Sequence, residues 1–510
     1  MFLSQPLLEL LIARGIQDVD EFLKRPSTSE FANPFFLTNL DEAASRVLKA
    51  VREGARITVF GDYDCDGVLA SHVLQSVLGR LGADVRVYLP HRDEGYGLSR
   101  QTVHEFSLAG TDLLITVDNG INARAAVSLA KRLGIEVIVI DHHRIQERAE
   151  TLAVWSDQFC GTGLAVMVAI GLVQKAGWND SSIERLIAGT SIYGSIASIA
   201  DCVPLTGKTR MLTRLGLESL ARTQHRGLQE LLRSSCSQPG EPDSEDVAFR
   251  IAPRINAAGR IDHPAAALAV LAATSDSEKA RSSVSRLNEL NRTRRELVVK
   301  HFREILGEMG EAHPSAVVLY RELAPKGIAG LLASKCVEQF GVPSIVLVSS
   351  GTKDIAVGSG RSVPGFDLEA ELRSVQELFE RFGGHAQAIG LSIKIDKIGE
   401  LKRQLESRCR KLKREDMLRP DADLVLASLT QRFCEELKFL EPFGEGNAAP
   451  IFRIGAAEVV ATRQRWVRLR QGKHALEAFD WRVGAQAGQK GDWLVEFRSK
   501  SRTLLAFHPK

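Results

Sequence analysis

ITVFGDYDCDG, residues 57–67, sets how the rest of this chain is read. Ile57 to Phe60 is a short apolar run halted by glycine, and it follows LDEAASRVLKAVR (40–52), an amphipathic helical pattern with Asn39 as the expected N-cap. Similar apolar runs recur at Val85 to Leu89, Leu113 to Val117 and Val137 to Ile140, with helical segments such as Ala123 to Arg132 between them. Strands alternating with helices need crossover connections, so the expected fold is α/β, a doubly wound, mostly parallel sheet.

Acids follow these strands. ITVF leads to Asp62, Asp64 and Asp66, LLITV leads to Asp118, VIVI leads to Asp141, His142 and His143, and SIASIA leads to Asp201. The carboxyl ends of parallel strands share one edge of a sheet, so residues far apart in sequence are expected to meet in one crevice there. One Asp after a strand is explained by helix capping. Three at alternate positions repel one another unless a cation neutralises them. Asp-x-Asp-x-Asp-Gly also begins a calcium-binding loop, but its twelfth position would be Val73 and a strand precedes it instead of a helix. Carboxylates with imidazole suit Mn²⁺ or Mg²⁺, and so many acids suit two ions.

Further along, SCSQPGEPDSED (235–246) reads as a surface loop, and Ser277 to Leu306 reads as a long polar helix bridging two lobes. A second α/β unit follows, with strands Ala316 to Tyr320 and Ser344 to Val348 around a helix near Leu331 to Phe340, ending in the basic KRQLESRCRKLKRED (402–416). Its Gly358-Ser359-Gly360-Arg361-Ser362 and Gly383-Gly384-His385-Ala386 read as glycine-rich turns offering phosphate contacts, with Arg254 and Arg260 adding cations. The expected parts are an N-terminal helical segment (1–40), a catalytic domain (41–235), a linker and connecting helix (236–308), a smaller α/β domain (309–416) and a β-rich domain (417–510).

The 510 residues, 44% apolar and 25% charged, suit about three globular domains. Seven cysteines without a Cys-x-x-Cys pair argue against a disulfide framework and a thiolate zinc site. No apolar stretch reaches the roughly 20 residues of a membrane span, and MFLSQPLLELLIARG lacks the features of a secretory signal, so a cytoplasmic location is expected. Net charge is +3, yet residues 451–510 hold 12 Lys/Arg against 5 Asp/Glu, leaving −4 for the remainder. In that tail Trp466, Phe479, Trp481 and Trp493 interleave with Arg463, Arg465, Arg468, Arg470, Lys473 and Arg482. Cations that track phosphates beside rings that stack on bases suit single-stranded nucleic acid; a plain β-domain core is the competing reading of the aromatics.

GDYDCDG (61–67), TVDNG (116–120), DHH (141–143), SIADCVPL (198–205), RINAAGR (254–260), GSGRSVPGFD (358–367), GGHAQAIG (383–390) and FGEGN (443–447) together resemble the RecJ family, single-strand-specific 5′→3′ DNA exonucleases of the DHH phosphoesterase superfamily. The resemblance covers nearly the whole chain. It implies a DHH domain, a DHH-associated domain and a C-terminal oligonucleotide-binding (OB-like) domain. It also implies two-metal hydrolysis of single-stranded DNA to 5′-mononucleotides in DNA repair and recombination, with single-strand-binding protein and helicases as partners. Asp62, Asp64, Asp66, Asp118, His142 and Asp201 match metal positions, with Asp118 the expected bridge and His143 a further catalytic residue. Arg92, Arg260, Ser359, Arg361 and His385 match phosphate-holding positions, and Arg254, Trp466 and Arg468 are expected to join them on DNA. The chain departs from the family pattern in a shortened segment after DHH and in Ala324-Pro325-Lys326-Gly327, where the family has a histidine. A dinucleotide or oligonucleotide phosphodiesterase sharing the metal acids, and a catalytically weak DNA-binding scaffold, are the alternatives.

Overall fold

In a computed structural model, residues 3–310, 314–410, 419–481 and 483–509 are described; Arg482 and the end of the 402–416 basic stretch lie outside them. Five parallel strands, β1 (Arg56–Phe60), β2 (Asp84–Tyr88), β3 (Leu113–Val117), β4 (Glu136–Asp141) and β5 (Leu152–Trp155), form the first sheet in the order β2-β1-β3-β4-β5. The chain leaves β1 in one direction to reach β2 and then returns past β1 to β3. The switch point therefore lies between β1 and β3, where an open parallel sheet forms its crevice.

Both faces are covered. Ile57, Val59, Leu113, Ile115, Val117, Ile138 and Ile140 face a core completed by helices such as Leu40–Arg52, Cys65–Arg80 and Gly161–Lys175. Phe60, Leu114, Val137 and Val139 face a second core with Val103, Phe106 and Val127. Burial on both sides explains why these strands read as unbroken apolar runs. Each such side chain contributes about 1.5–3 kcal/mol when fully buried.

The sheet departs from the sequence reading in two details. Asn39 precedes the helix Leu40–Arg52 in a left-handed conformation (φ 66°) and makes no capping bond; its side-chain amide donates to the Ala153 carbonyl at 2.9 Å, tying the helix to β5. β5 itself follows the DHH segment so closely that its four residues carry little periodic signal.

The helix Ser277–Met309 leads to a mixed sheet of β6 (Val317–Arg321), β7 (Ser344–Ser349), β8 (Ile355–Arg361), β9 (Phe379–His385) and β10 (Ala388–Lys394), in the order β6-β7-β8-β10-β9. The C-terminal domain comprises β11 (Ala422–Asp423), β12 (Ile451–Arg463), β13 (Trp466–Gln471), β14 (His474–Asp480), β15 (Lys490–Phe497) and β16 (Arg502–Pro509). Pairing of β12 with both β13 and β15 closes five of these strands into a barrel. The N-terminal helix Gln5–Ala13 packs into the hydrophobic core of this distant domain, its Leu7, Leu10 and Leu11 belonging to the same buried cluster as Phe433, Phe443 and Trp493. Arg14 pairs with Asp421 at 2.9 Å beside it.

Candidate metal centre and phosphate-binding face

The loop after β1 carries three acids with three different local tasks. Asp64 caps the helix Cys65–Arg80, its Oδ1 accepting the N–H of Asp66 (3.0 Å) and Gly67 (3.1 Å), which leaves Oδ2 for another partner. The capping and metal readings of this residue are thus compatible. Asp66 is buried, its two carboxylate oxygens accepting from the N–H groups of Gly161 (2.7 Å) and Thr162 (2.6 Å) at the start of the helix Gly161–Lys175. Asp62 is also buried, and its Oδ1 has no hydrogen-bond partner. Close approach makes glycine necessary here: a Cβ on Gly67 would lie 2.3 Å from the Asp62 nitrogen, and one on Gly161 2.6 Å from the Asp118 Cβ.

Asp118 follows β3 with φ at 60°, a left-handed conformation that an L-residue adopts at a cost of about 1–2 kcal/mol. His142 Nε2 lies 3.1 Å from Asp118, 3.5 Å from Asp201 and 3.7 Å from Asp66. Ligand atoms of Asp62, Asp64 and Asp118 lie within 4.8 Å of one another, as do those of Asp66, His142 and Asp201, and those of Asp118, His142 and His143. The crevice therefore gathers all six expected metal residues, drawn from four strand or helix ends.

The two histidines differ. Burial holds His142 below the usual imidazole range despite nearby Asp66, which keeps it neutral and able to donate a lone pair. His143 is bonded through Nδ1 to Asp141 at 2.7 Å and through Nε2 to the Tyr96 hydroxyl at 2.9 Å. Burial alone would depress it, but the Asp141 carboxylate prevails and lifts it to about 9. With both ring nitrogens engaged, His143 is placed as a cation beside the centre. Asp141 also accepts the N–H groups of Ile121 (2.9 Å), His142 (2.8 Å) and His143 (3.1 Å), so it shapes the turn instead of facing the crevice. Trp155 of β5 secures the same turn by donating to the His143 carbonyl at 2.8 Å.

Burial, with Asp64 beside Asp62 and Asp66 beside Asp118, pushes both carboxyls well above the usual range. So many acids cannot ionise together without a counter-charge. An orphaned buried oxygen and a donor set of carboxylate and imidazole fit Mn²⁺ or Mg²⁺. A thiolate metal does not fit, since burial beside Asp64 pushes the Cys65 thiol up and keeps it protonated.

Opposite stands the second lobe. Ser359 and Arg361 belong to β8 and His385 to β9, so the expected glycine-rich turns are strand ends. Their N–H groups serve the ladder, and glycine is needed for packing instead: a Cβ on Gly358 would lie 2.2 Å from the Val346 carbonyl oxygen and one on Gly360 2.6 Å from Ile389. Arg361 and His385 both pair in register with Ala388 of β10, and Ser359 with Gly390. All three side chains therefore rise from one face over a floor of Ala388, Gly390 and Gly383. Arg361 acts electrostatically on Cys202, beside Asp201, and His385 feels His143.

Arg92 and Arg260 extend this wall. Arg92 lies over the Tyr63 ring at 3.9 Å and donates to the Gly259 carbonyl at 3.1 Å. Arg260 donates to the Gly327 carbonyl at 2.9 Å; burial lowers it to about 9, aided by Arg92, Arg294 and Arg361. Lys326, in the segment that departs from the family pattern, pairs with Asp93 across the lobes at 2.7 Å. Arg254 stands apart, in a cavity of about 800 Å³ with Asn288, Arg292 and Arg295 along the connecting helix.

In the C-terminal domain Trp466, Arg468 and Arg470 alternate with buried Val467 and Leu469, placing them on the outer face of β13. Arg465 lies over Phe479 at 4.9 Å and Trp481 at 5.6 Å. Trp493 is fully buried, 4.2 Å from Phe507. Both readings of the aromatics thus hold, for different residues. The FGEGN loop docks near the centre, Leu205 N–H donating to the Glu445 carbonyl at 2.7 Å four residues after Asp201.

Clustered acids at the switch point of a parallel sheet, with a DHH turn beneath them, are the features of the DHH class. The chain matches the family models for the DHH family, N-terminal domain (56–195), the DHHA1 domain (313–411) and the RecJ OB domain (420–510). It is 33% identical to the single-stranded-DNA-specific exonuclease RecJ of Bacillus subtilis over 86% of this chain and 57% of that protein. It is 32% identical to the Salmonella typhimurium RecJ over 88% and 83%. The crystal structure of RecJ from Thermus thermophilus with Mn²⁺ aligns with a TM-score of 0.80 at 26% identity, covering all of this chain and 79% of that one. The chain belongs to the RecJ family. It spans little more than half the length of the Bacillus relative.

Asp141, Trp155 and Thr162 were absent from the sequence expectations as supports of the centre. Asp141 lay in a quoted motif, but only the geometry separates a residue that orients ligands from one that faces the metal.

Proposed function

We propose that this protein hydrolyses single-stranded DNA from its 5′ end, releasing 5′-mononucleotides. The observation that carries this reading is the opposition of two surfaces: acids and His142 on the first lobe, and Ser359, Arg361 and His385 on one sheet face of the second. A bound pair of Mn²⁺ or Mg²⁺ ions would supply an activated water and offset charge on the phosphate. Asp64, Asp66, Asp118, His142 and Asp201 would hold that pair, with Asp62 completing the set. His143, held cationic by Asp141, stabilises negative charge on the phosphate. Arg92, Arg260, Ser359, Arg361 and His385 grip the terminal phosphate, which sets polarity, and Trp466 and Arg468 guide the strand. Arg254 contacts the strand further from the cut.

Resection in repair and recombination goes with such an activity, alongside single-strand-binding protein and helicases in the cytoplasm. Among the described residues no helix is long and apolar enough to cross a membrane. The test uses 5′-labelled single-stranded DNA, duplex DNA and dinucleotides, each with Mn²⁺ or chelator. Metal-dependent mononucleotide release from single strands alone is expected; cleavage confined to dinucleotides, or DNA binding without cleavage, contradicts the proposal.

A further inference from the structure

The helix Ala252–Ile261 lies across the metal loop without contributing a ligand to it. Asn256 Oδ1 accepts the Cys65 N–H at 2.9 Å. Three residues on, Gly259 comes so close that a Cβ there would lie 2.1 Å from the Tyr63 carbonyl oxygen. The contact is therefore built for close approach at both points.

Cys65 opens the helix Cys65–Arg80, and the leading N–H groups of a helix have no acceptor within it. Asp64 Oδ1 takes those of Asp66 and Gly67, and the Asp64 carbonyl takes that of Val68 at 3.0 Å. Val68 thus makes the first bond within the helix, and of the N–H groups ahead of it Asn256 takes that of Cys65. Without Asn256, the Cys65 N–H has only the Asp64 carboxylate to turn to, which already caps two groups and which is grouped with Asp62 and Asp118.

We infer that Asn256 is a positioning residue for the metal centre: through the Cys65 N–H it fixes the turn that aims Asp64 and Asp66. The inference rests on the reading of Asp64 and Asp66 as ligands.

Titration calorimetry of the full chain with Mn²⁺, without DNA, tests this. N256A is expected to weaken Mn²⁺ binding about 10-fold or more, the range seen when outer partners of metal ligands are removed. N256D keeps an acceptor oxygen and is expected to stay within about threefold of the parent, as a merely structural role would not require. Single-stranded DNA binding in chelator should be unchanged in both. Should N256A fail to fold, N256S, too short to reach the Cys65 N–H, replaces it with the same expectation. Parent-like Mn²⁺ affinity in a folded N256A or N256S, or an N256D as weak as N256A, overturns the role of Asn256. D66A separates the two failures: if it binds Mn²⁺ like the parent, the ligand reading itself has failed.

Discussion

Asp118 is where burial, strain and ligand geometry coincide. D118A should lower cleavage at least about 1000-fold, since several kcal/mol of charge stabilisation are removed, while leaving single-stranded DNA binding in place; gel shift and nuclease assays read the two separately. The buried carboxyls also carry a pH signature. Asp62 and Asp118 are raised above their ordinary range by burial and by like charge, so without metal they favour the folded state at low pH and that contribution is lost as pH rises through the raised values. Mn²⁺ reverses this by replacing protons. Thermal melts should therefore show Mn²⁺ raising Tm more at pH 8 than at pH 5.5; an equal rise at both would count against proton displacement. At this scale the sequence was legible where spacing carried chemistry, as in Asp62, Asp64 and Asp66. It was silent on Asn256 and Thr162, whose contacts join positions 191 and 96 residues apart.

Elements place these residues because strand ends share an edge. The parallel strands were readable from unbroken apolar runs, which is what burial on both faces requires, and Leu113 to Val117 matches β3 to the residue. β5 escaped because four residues hold too little pattern. The glycines of β8 and β9 were misread as turns because glycine signals flexibility in a sequence, whereas here it admits a neighbouring strand's backbone. A clear expectation follows for the helix Gly161–Lys175, whose first residue packs on Asp118. G161A should be destabilised by about 1–3 kcal/mol through overpacking and should lose Mn²⁺ affinity with it. Chemical denaturation and calorimetry would show this; a variant with parent stability and parent affinity would show that the helix start does not hold Asp118.

At the scale of the whole molecule, the FGEGN loop ties the C-terminal barrel beside the metal crevice through Leu205 and Glu445, and the N-terminal helix packs into the barrel's core. The N-terminal segment was legible as helical but not as part of the C-terminal domain, because the partners of Leu7, Leu10 and Leu11 lie more than 400 positions away. L10A should cost about 2–5 kcal/mol, expressed as earlier melting of the C-terminal barrel. W466A should weaken single-stranded DNA binding by about 1–3 kcal/mol without changing Mn²⁺ affinity, since Trp466 stands exposed on β13 and belongs to none of the acid and histidine groups. The most direct test of the two-surface arrangement is anomalous diffraction at the manganese edge from crystals grown with Mn²⁺ and a 5′-phosphorylated oligonucleotide. Two peaks about 3.5–4 Å apart should stand among Asp64, Asp66, Asp118, His142 and Asp201, with the terminal phosphate against Ser359, Arg361 and His385. Peaks elsewhere, or a strand bound away from that face, would contradict it.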